Sequence, residues 1–217
     1  VRATHEVSHI PFDYVICAAK ATDSSLTSSL APAVSAKTAL VSVQNGVGVE
    51  APLHSAFSNN TILSAVCYIS CTQPAPGQIN QVSTIRPHAF HIGTYSSPPS
   101  SPNLDVLKDF VALDPKFKHI DNVQAERWTK QIFNGAWNPV TAITGLDTHE
   151  LLASPHVHVI KQLATETFNV ARRMGIVLPD DLAERTIEMA RCNPAIAPSM
   201  LQDRRAGRVM EVEALCG

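Results

Sequence analysis

The hydrophobic positions change rhythm part-way along the chain. Up to about residue 122 they come in short runs bounded by Gly, Pro, Ser and Asn; from Val123 onward they recur at helical spacing. In the first part, FDYVICAAK (residues 12 to 20) and TALVSVQNG (residues 38 to 46) have the short apolar character of buried strands. Between them TDSSLTSSLAPAVS supports a short helix, so the three segments predict the parallel crossover unit of an α/β sheet. A helix is expected near Val49 to Phe57. In TILSAVCYISCTQPAPGQINQVS, the Pro-Ala-Pro-Gly turn joins two strands, and HAFHIGT (residues 88 to 94) extends the strand pattern. A Pro- and Ser-rich loop then leads into the helix LDVLKDFVAL, with Asn103 as its expected cap.

The second part predicts only helices. One contains Lys130. The next starts at Ser154-Pro155, serine capping and proline in the first helical position, with Val157, Ile160, Ala164, Phe168 and Ala171 inward and Gly175 at its end. Another runs from about Asp180 to Cys192, and a last one from Met200 to the end of the chain. The pattern divides the chain into an α/β portion, residues 1 to 122, and an all-helical portion, residues 123 to 217.

Within RWTKQIFNGAWNPVTAITG (residues 127 to 145), Lys130, Asn134 and Asn138 stand four residues apart. At roughly 100° per residue, such steps return nearly to the same azimuth, so the three polar groups form one stripe on an otherwise apolar helix. A solvated face is one reading of the stripe; the wall of a cavity is the other. Asparagine is a poor choice for a merely exposed helical position. Asn138 also precedes Pro139, which predicts a kink that could aim the amide at a ligand.

Composition narrows the function classes. With 45% hydrophobic and 17% charged residues, 217 residues can bury a sizeable core. A net charge of -2, without a basic cluster, offers no electrostatic reason to bind nucleic acid or an anionic membrane. No apolar run reaches membrane-spanning length and no secretory leader opens the chain. Five scattered cysteines without CxxC spacing fit reduced thiols, so a cytoplasmic location is expected; neither they nor the nine dispersed histidines assemble a metal site. The chain opens on Val1 rather than methionine and enters a strand almost at once, which reads as the middle of a larger protein.

Two further stretches can carry chemistry. In VSVQNGVG (residues 41 to 48) a buried strand runs into Gln-Asn-Gly, at the carboxyl end where open α/β sheets bind ligands. Asn45 offers both donor and acceptor there, although Asn45-Gly46 also suits a plain tight turn. In PSMLQDRRAGRVMEVEALCG (residues 198 to 217), Ser199 and Glu211 would stand about 18 Å apart on one continuous helix, too far to share a small ligand. Ser199 is therefore expected at or before the helix start, as an N-cap or a carboxylate contact; Glu211 reads as a solvated carboxylate or a ligand group.

Taken in order, the strand ending at Lys20, QNGVG, the PGQI turn, WTKxxxNxxxNPxTA and SMLQDxxxGRxxE resemble the ketopantoate reductase (2-dehydropantoate 2-reductase) family over nearly the whole chain. The resemblance implies an incomplete Rossmann-like parallel sheet for binding NADPH, followed by a helical domain of the 6-phosphogluconate dehydrogenase C-terminal type. It implies NADPH-dependent reduction of a 2-keto acid to the 2-hydroxy acid for pantothenate formation, with Lys130 as catalytic acid. An ammonium among apolar side chains releases its proton more readily and can stabilise a developing alkoxide, which suits that role. By the same resemblance, Asn134, Asn138 and Glu211 contact the keto and hydroxyl groups and Ser199 the carboxylate. Asn45 with Gly46 lies between cofactor and substrate, and Lys20 lines the dinucleotide site. A homodimer is left open.

The chain also departs from that pattern. It contains no GxGxxG phosphate loop, Met210-Glu211-Val212-Glu213 stands where Thr-Glu-Ile-Asp is common, and Thr148 stands where some relatives have asparagine. Without the loop, NADPH is expected not to raise the melting temperature of these 217 residues. A non-catalytic relative that binds no dinucleotide is the alternative reading.

Overall fold

The computed structural model describes residues 12–22, 25–84, 86–97 and 103–217. Residues 98–102 of the Pro- and Ser-rich loop, and the capping role expected of Asn103, lie outside the described residues. The chain divides into two compact units, Val1–Val123 and Gln124–Gly217.

The first unit is a five-stranded sheet with helices on both faces. Its strands are β1 (Tyr14–Cys17), β2 (Ala39–Ser42), β3 (Ile62–Cys67), β6 (Phe90–Ser96) and β7 (Phe117–His119), in that spatial order; β4 (Ile69–Ala75) and β5 (Gln78–Thr84) form a separate hairpin. Strand β1 pairs with β2, and β2 with β3, in parallel, the first pair running from Tyr14↔Ala39 to Cys17↔Ser42. The sheet is not parallel throughout. After the hairpin excursion the chain re-enters beside the end of β3, with Cys67 opposite Phe90, and β6 runs back antiparallel. With no crossover helix to carry the chain back along the sheet, antiparallel return is the available geometry.

Alternation along the strands loads both faces. Leu40 and Ile62 join Cys17 and Leu53 on one side, against helix α1 (Leu26–Leu30) and helix α2 (Ala51–Ala56). Val41, Leu63, Ala65 and Ile92 join Leu107 and Phe110 of α3 (Asn103–Ala112) on the other. Each fully buried aliphatic side chain contributes about 1.5–3 kcal/mol. The pairing of Leu40 with Ile62, and of Val41 with Leu63, therefore fixes the register, because a one-residue slip would exchange the two cores.

The second unit is all helical. It contains α4 (Val123–Thr144) from residue 124 on, α5 (Thr148–Ala153), α6 (Val157–Arg173), α7 (Leu182–Cys192), α8 (Ser199–Arg205) and α9 (Val212–Cys216). Helix α4 runs through Pro139 as one element; Thr141 Oγ donates back to the Trp137 carbonyl at 2.7 Å and the Asn138 carbonyl at 3.1 Å, next to the ring that lacks an N–H. Two expectations need correction here. The helix expected from Ser154-Pro155 starts at Val157, because α5 precedes it and Ser154 closes α5. That short helix is set by a capping box in which Asp147 accepts from the His149 and Glu150 amides while Glu150 returns to the Asp147 amide.

The second correction concerns the end of the chain. The expected single helix from Met200 is two helices, α8 and α9, separated at Ala206-Gly207. The Gly207 amide bonds the Arg204 carbonyl at 3.1 Å and the Arg208 amide the Asp203 carbonyl at 2.8 Å, the paired bonds of a Schellman ending with Gly207 at φ 62. Arg208 Nε also donates to Asp203 Oδ1 at 2.9 Å, placing an ion pair where that motif usually has an apolar contact. Among the described residues, no helix is long and apolar enough to cross a membrane.

Candidate functional site

In the helical unit the stripe on α4 is placed as follows. Lys130 is half-buried, Asn134 is 7% exposed and Asn138 is 1% exposed. The two amides are joined, Asn138 Nδ2 donating to Asn134 Oδ1 at 3.2 Å. Asn138 Oδ1 in turn accepts from the Ser199 hydroxyl at 3.2 Å and from the Met200 backbone N–H at 3.0 Å. The α4 amide therefore caps the start of α8 from outside, satisfying one of the amides that a helix start leaves open. Ser199 is the first residue of α8, with Pro198 in the cap position, so its hydroxyl is not the N-cap of its own helix. Asn134, Asn138 and Ser199 thus come together in one hydrogen-bonded chain. With Asn138 holding its oxygen, Asn134 keeps its Nδ2 as a donor.

Glu211 is buried, at 7% exposure, and occupies the cap position of α9. The break at Gly207 removes the premise of the 18 Å separation from Ser199, since the two residues do not share a helix. Helix α9 is anchored by Leu215, which packs with Ala142, Met200 and Met210. Its Leu215 carbonyl accepts from Gln131 Nε2 at 2.8 Å. Gln131 was not singled out by the sequence, because its burial depends on α9 reaching α4, which no local pattern encodes.

In the α/β unit, Lys20 and Asn45 follow the carboxyl ends of the adjacent parallel strands β1 and β2. The loop after β2 turns through Gly46 at φ 98 and Gly48 at φ 73; no atom lies within 4 Å of a Cβ placed on Gly48, so backbone conformation rather than crowding requires glycine there. Lys20 and Asn45 are half-buried, and Gly46 is buried. Following this loop, Glu50 stands in the cap position of α2 without a side-chain cap bond, is 0% exposed and accepts from the Ser64 hydroxyl of β3 at 2.6 Å. This buried carboxylate also escaped the sequence reading, since nothing in VGVEAPL separates it from a surface acid. At the end of β1, burial pushes the Cys17 thiol above the ordinary thiol range, against a smaller lowering by its bond to the Ala19 backbone. Among the described residues, no group of three or more His, Cys, Asp or Glu is placed to hold a metal ion.

Two family models match this chain: ketopantoate reductase PanE/ApbA over residues 1–97, and ketopantoate reductase PanE/ApbA C terminal over residues 122–217. The chain belongs to the ketopantoate reductase family. It is similar to the 2-dehydropantoate 2-reductase of Mesorhizobium japonicum, 28% identical over 227 residues, which cover 94% of this chain and 68% of that protein. It is also similar to the Saccharomyces cerevisiae protein YDL144C, 28% identical over 195 residues, covering 83% of this chain and 53% of that one. The chain therefore spans about half the length of the yeast relative. The crystal structure of 2-dehydropantoate 2-reductase from Methylococcus capsulatus shares the fold with a TM-score of 0.83 at 27% identity, over 99% of this chain and 68% of that one.

Proposed function

We propose that the intact protein reduces 2-dehydropantoate, or a closely similar 2-keto acid, to the 2-hydroxy acid, with Lys130 as the general acid. The observation that carries this reading is the joined Asn134–Asn138–Ser199 chain on the face of α4 that also bears Lys130. Such a substrate presents a keto oxygen, a carboxylate and a hydroxyl. Recognising it takes a proton donor, further N–H or O–H donors and an acceptor, and Lys130, Asn134 with Ser199, and Glu211 are of those kinds.

Lys20, Asn45 and Gly46 fit one side of a dinucleotide site. They follow adjacent parallel strands, and the positive φ angles of Gly46 and Gly48 keep the loop free of side chains that would fill the approach. NADPH, when bound, supplies the hydride that reduces the carbonyl carbon. Lys130 Nζ gives its proton to the keto oxygen as negative charge grows there, and its remaining N–H groups stay to stabilise the product hydroxyl. Asn134 and Asn138 hold the substrate oxygens in line with Lys130, and Ser199 donates to the carboxylate by turning its hydroxyl away from Asn138 Oδ1, which keeps the Met200 amide. Glu211 accepts from the substrate hydroxyl. Similarity to the 2-dehydropantoate 2-reductases of Nostoc sp. and Mesorhizobium japonicum, 24% and 28% identical, supports this choice of substrate class.

The test is product formation. The intact protein, given 2-dehydropantoate and NADPH, should oxidise NADPH in step with the appearance of pantoate. An absence of both, with the protein folded and NADPH bound, would overturn the assignment.

A further inference from the structure

We propose that Gln131 is a positioning residue for Glu211, holding the one-turn helix that begins at that carboxylate against the helix that carries Lys130. The inference rests on the functional reading above. Helix α9 has five residues, and a helix of one turn does not persist in water by itself, because nucleation costs more order than one or two bonds return. Its register is therefore set by what it touches. The Leu215 side chain provides an apolar anchor, which resists removal but does not fix rotation. A directional contact is the bond from Gln131 Nε2 to the Leu215 carbonyl, 2.8 Å long and buried.

That bond continues through the helix to the carboxylate-bearing residue. The Leu215 amide donates to the Glu211 carbonyl at 3.2 Å, so Gln131 lies one backbone hydrogen bond away from the Glu211 main chain. Gln131 directly follows Lys130 in sequence, and on α4 it falls within about 20° of Asn138, seven residues on. A side chain beside the proposed acid thus ties down the segment that presents the proposed acceptor.

The other half of the Gln131 amide gives the inference its sharper edge. Gln131 is 6% exposed and its Oε1 is buried without a hydrogen-bond partner among the described residues. An unmet buried acceptor costs stability comparable to what the Nε2 bond returns. An apolar residue of similar size should pack there without loss of fold, so the amide is better explained by direction than by stability.

The experiment compares the wild-type intact protein with Gln131→Leu and with Gln131→Met, the second keeping the unbranched shape if the first does not fold. Two readings are taken: hydrogen exchange at the Leu215 amide, and steady-state kinetics with 2-dehydropantoate and NADPH. Exchange should quicken, the keto-acid KM should rise about tenfold, as for one lost directional bond, and the NADPH KM and melting temperature should hold or the latter rise. Unchanged exchange in the folded variants overturns the tie, whether or not the wild type turns over. Faster exchange with an unchanged keto-acid KM, or an equal rise in both KM values with a lower melting temperature, overturns the positioning role. A wild type that leaves 2-dehydropantoate untouched overturns the functional reading instead, and the exchange result still decides the tie.

Discussion

Replacing Glu211 by glutamine keeps its shape and removes its charge, which separates a ligand role from a packing role. If the carboxylate accepts from the substrate hydroxyl, Glu211→Gln should raise the keto-acid KM about 10- to 100-fold, the range for a hydrogen bond to a charged group, and leave the NADPH KM in place. Equal weakening of both would argue against the assignment. The residues behind this proposal differ in how readable they were. Lys130, Asn134 and Asn138 declare themselves by a four-residue spacing inside an apolar helix, a local pattern. Gln131 and Glu50 are as buried as those asparagines, yet their burial is conferred by α9 and by β3, segments 84 and 14 residues away in the chain. A polar residue acquires that meaning only once the tertiary partner has arrived.

At the scale of elements, the Gly207 break takes Glu211 off α8 and leaves it at the start of α9. Its φ of 62 with no atom within 4 Å of an added Cβ means that Gly207→Ala meets backbone strain rather than a clash. The expected cost is about 1 kcal/mol, measurable by denaturant unfolding, with Gly207→Asn losing less because asparagine tolerates that conformation. An unperturbed alanine variant would show that the Schellman ending is not what separates α8 from α9. The sequence hinted at this break with Gly207 itself, but apolar positions on either side kept the helical pattern running through it. The missed α5 has a similar cause: its Asp147–Glu150 capping box is a clear start signal, but six residues are too few to show a period. Most strands were readable, but not the short β7 after α3, nor the division of the run from Ile62 to Ala75 into β3 and β4. Strand direction was not readable, since the antiparallel return of β6 follows from the hairpin excursion between Cys67 and Phe90 rather than from any feature of HAFHIGT.

For the whole molecule, the family models cover an α/β unit and a helical unit, each with its own core and its own candidate residues. The α/β unit presents Lys20, Asn45 and Gly46 after parallel strands, and the helical unit presents Lys130, Asn134, Asn138, Ser199 and Glu211 on α4, α8 and the start of α9. The change from an α/β to an all-helical portion was legible from the change of hydrophobic rhythm, because strand and helix periods differ; the hydrogen-bonded links within each portion were not. The measurement that bears most directly on the account is the turnover number of Lys130→Ala in the intact protein, with saturating NADPH and 2-dehydropantoate. Loss of the general acid should lower it by about 10²- to 10⁴-fold while the variant remains folded and still binds NADPH. Turnover within a few-fold of wild type would contradict the account.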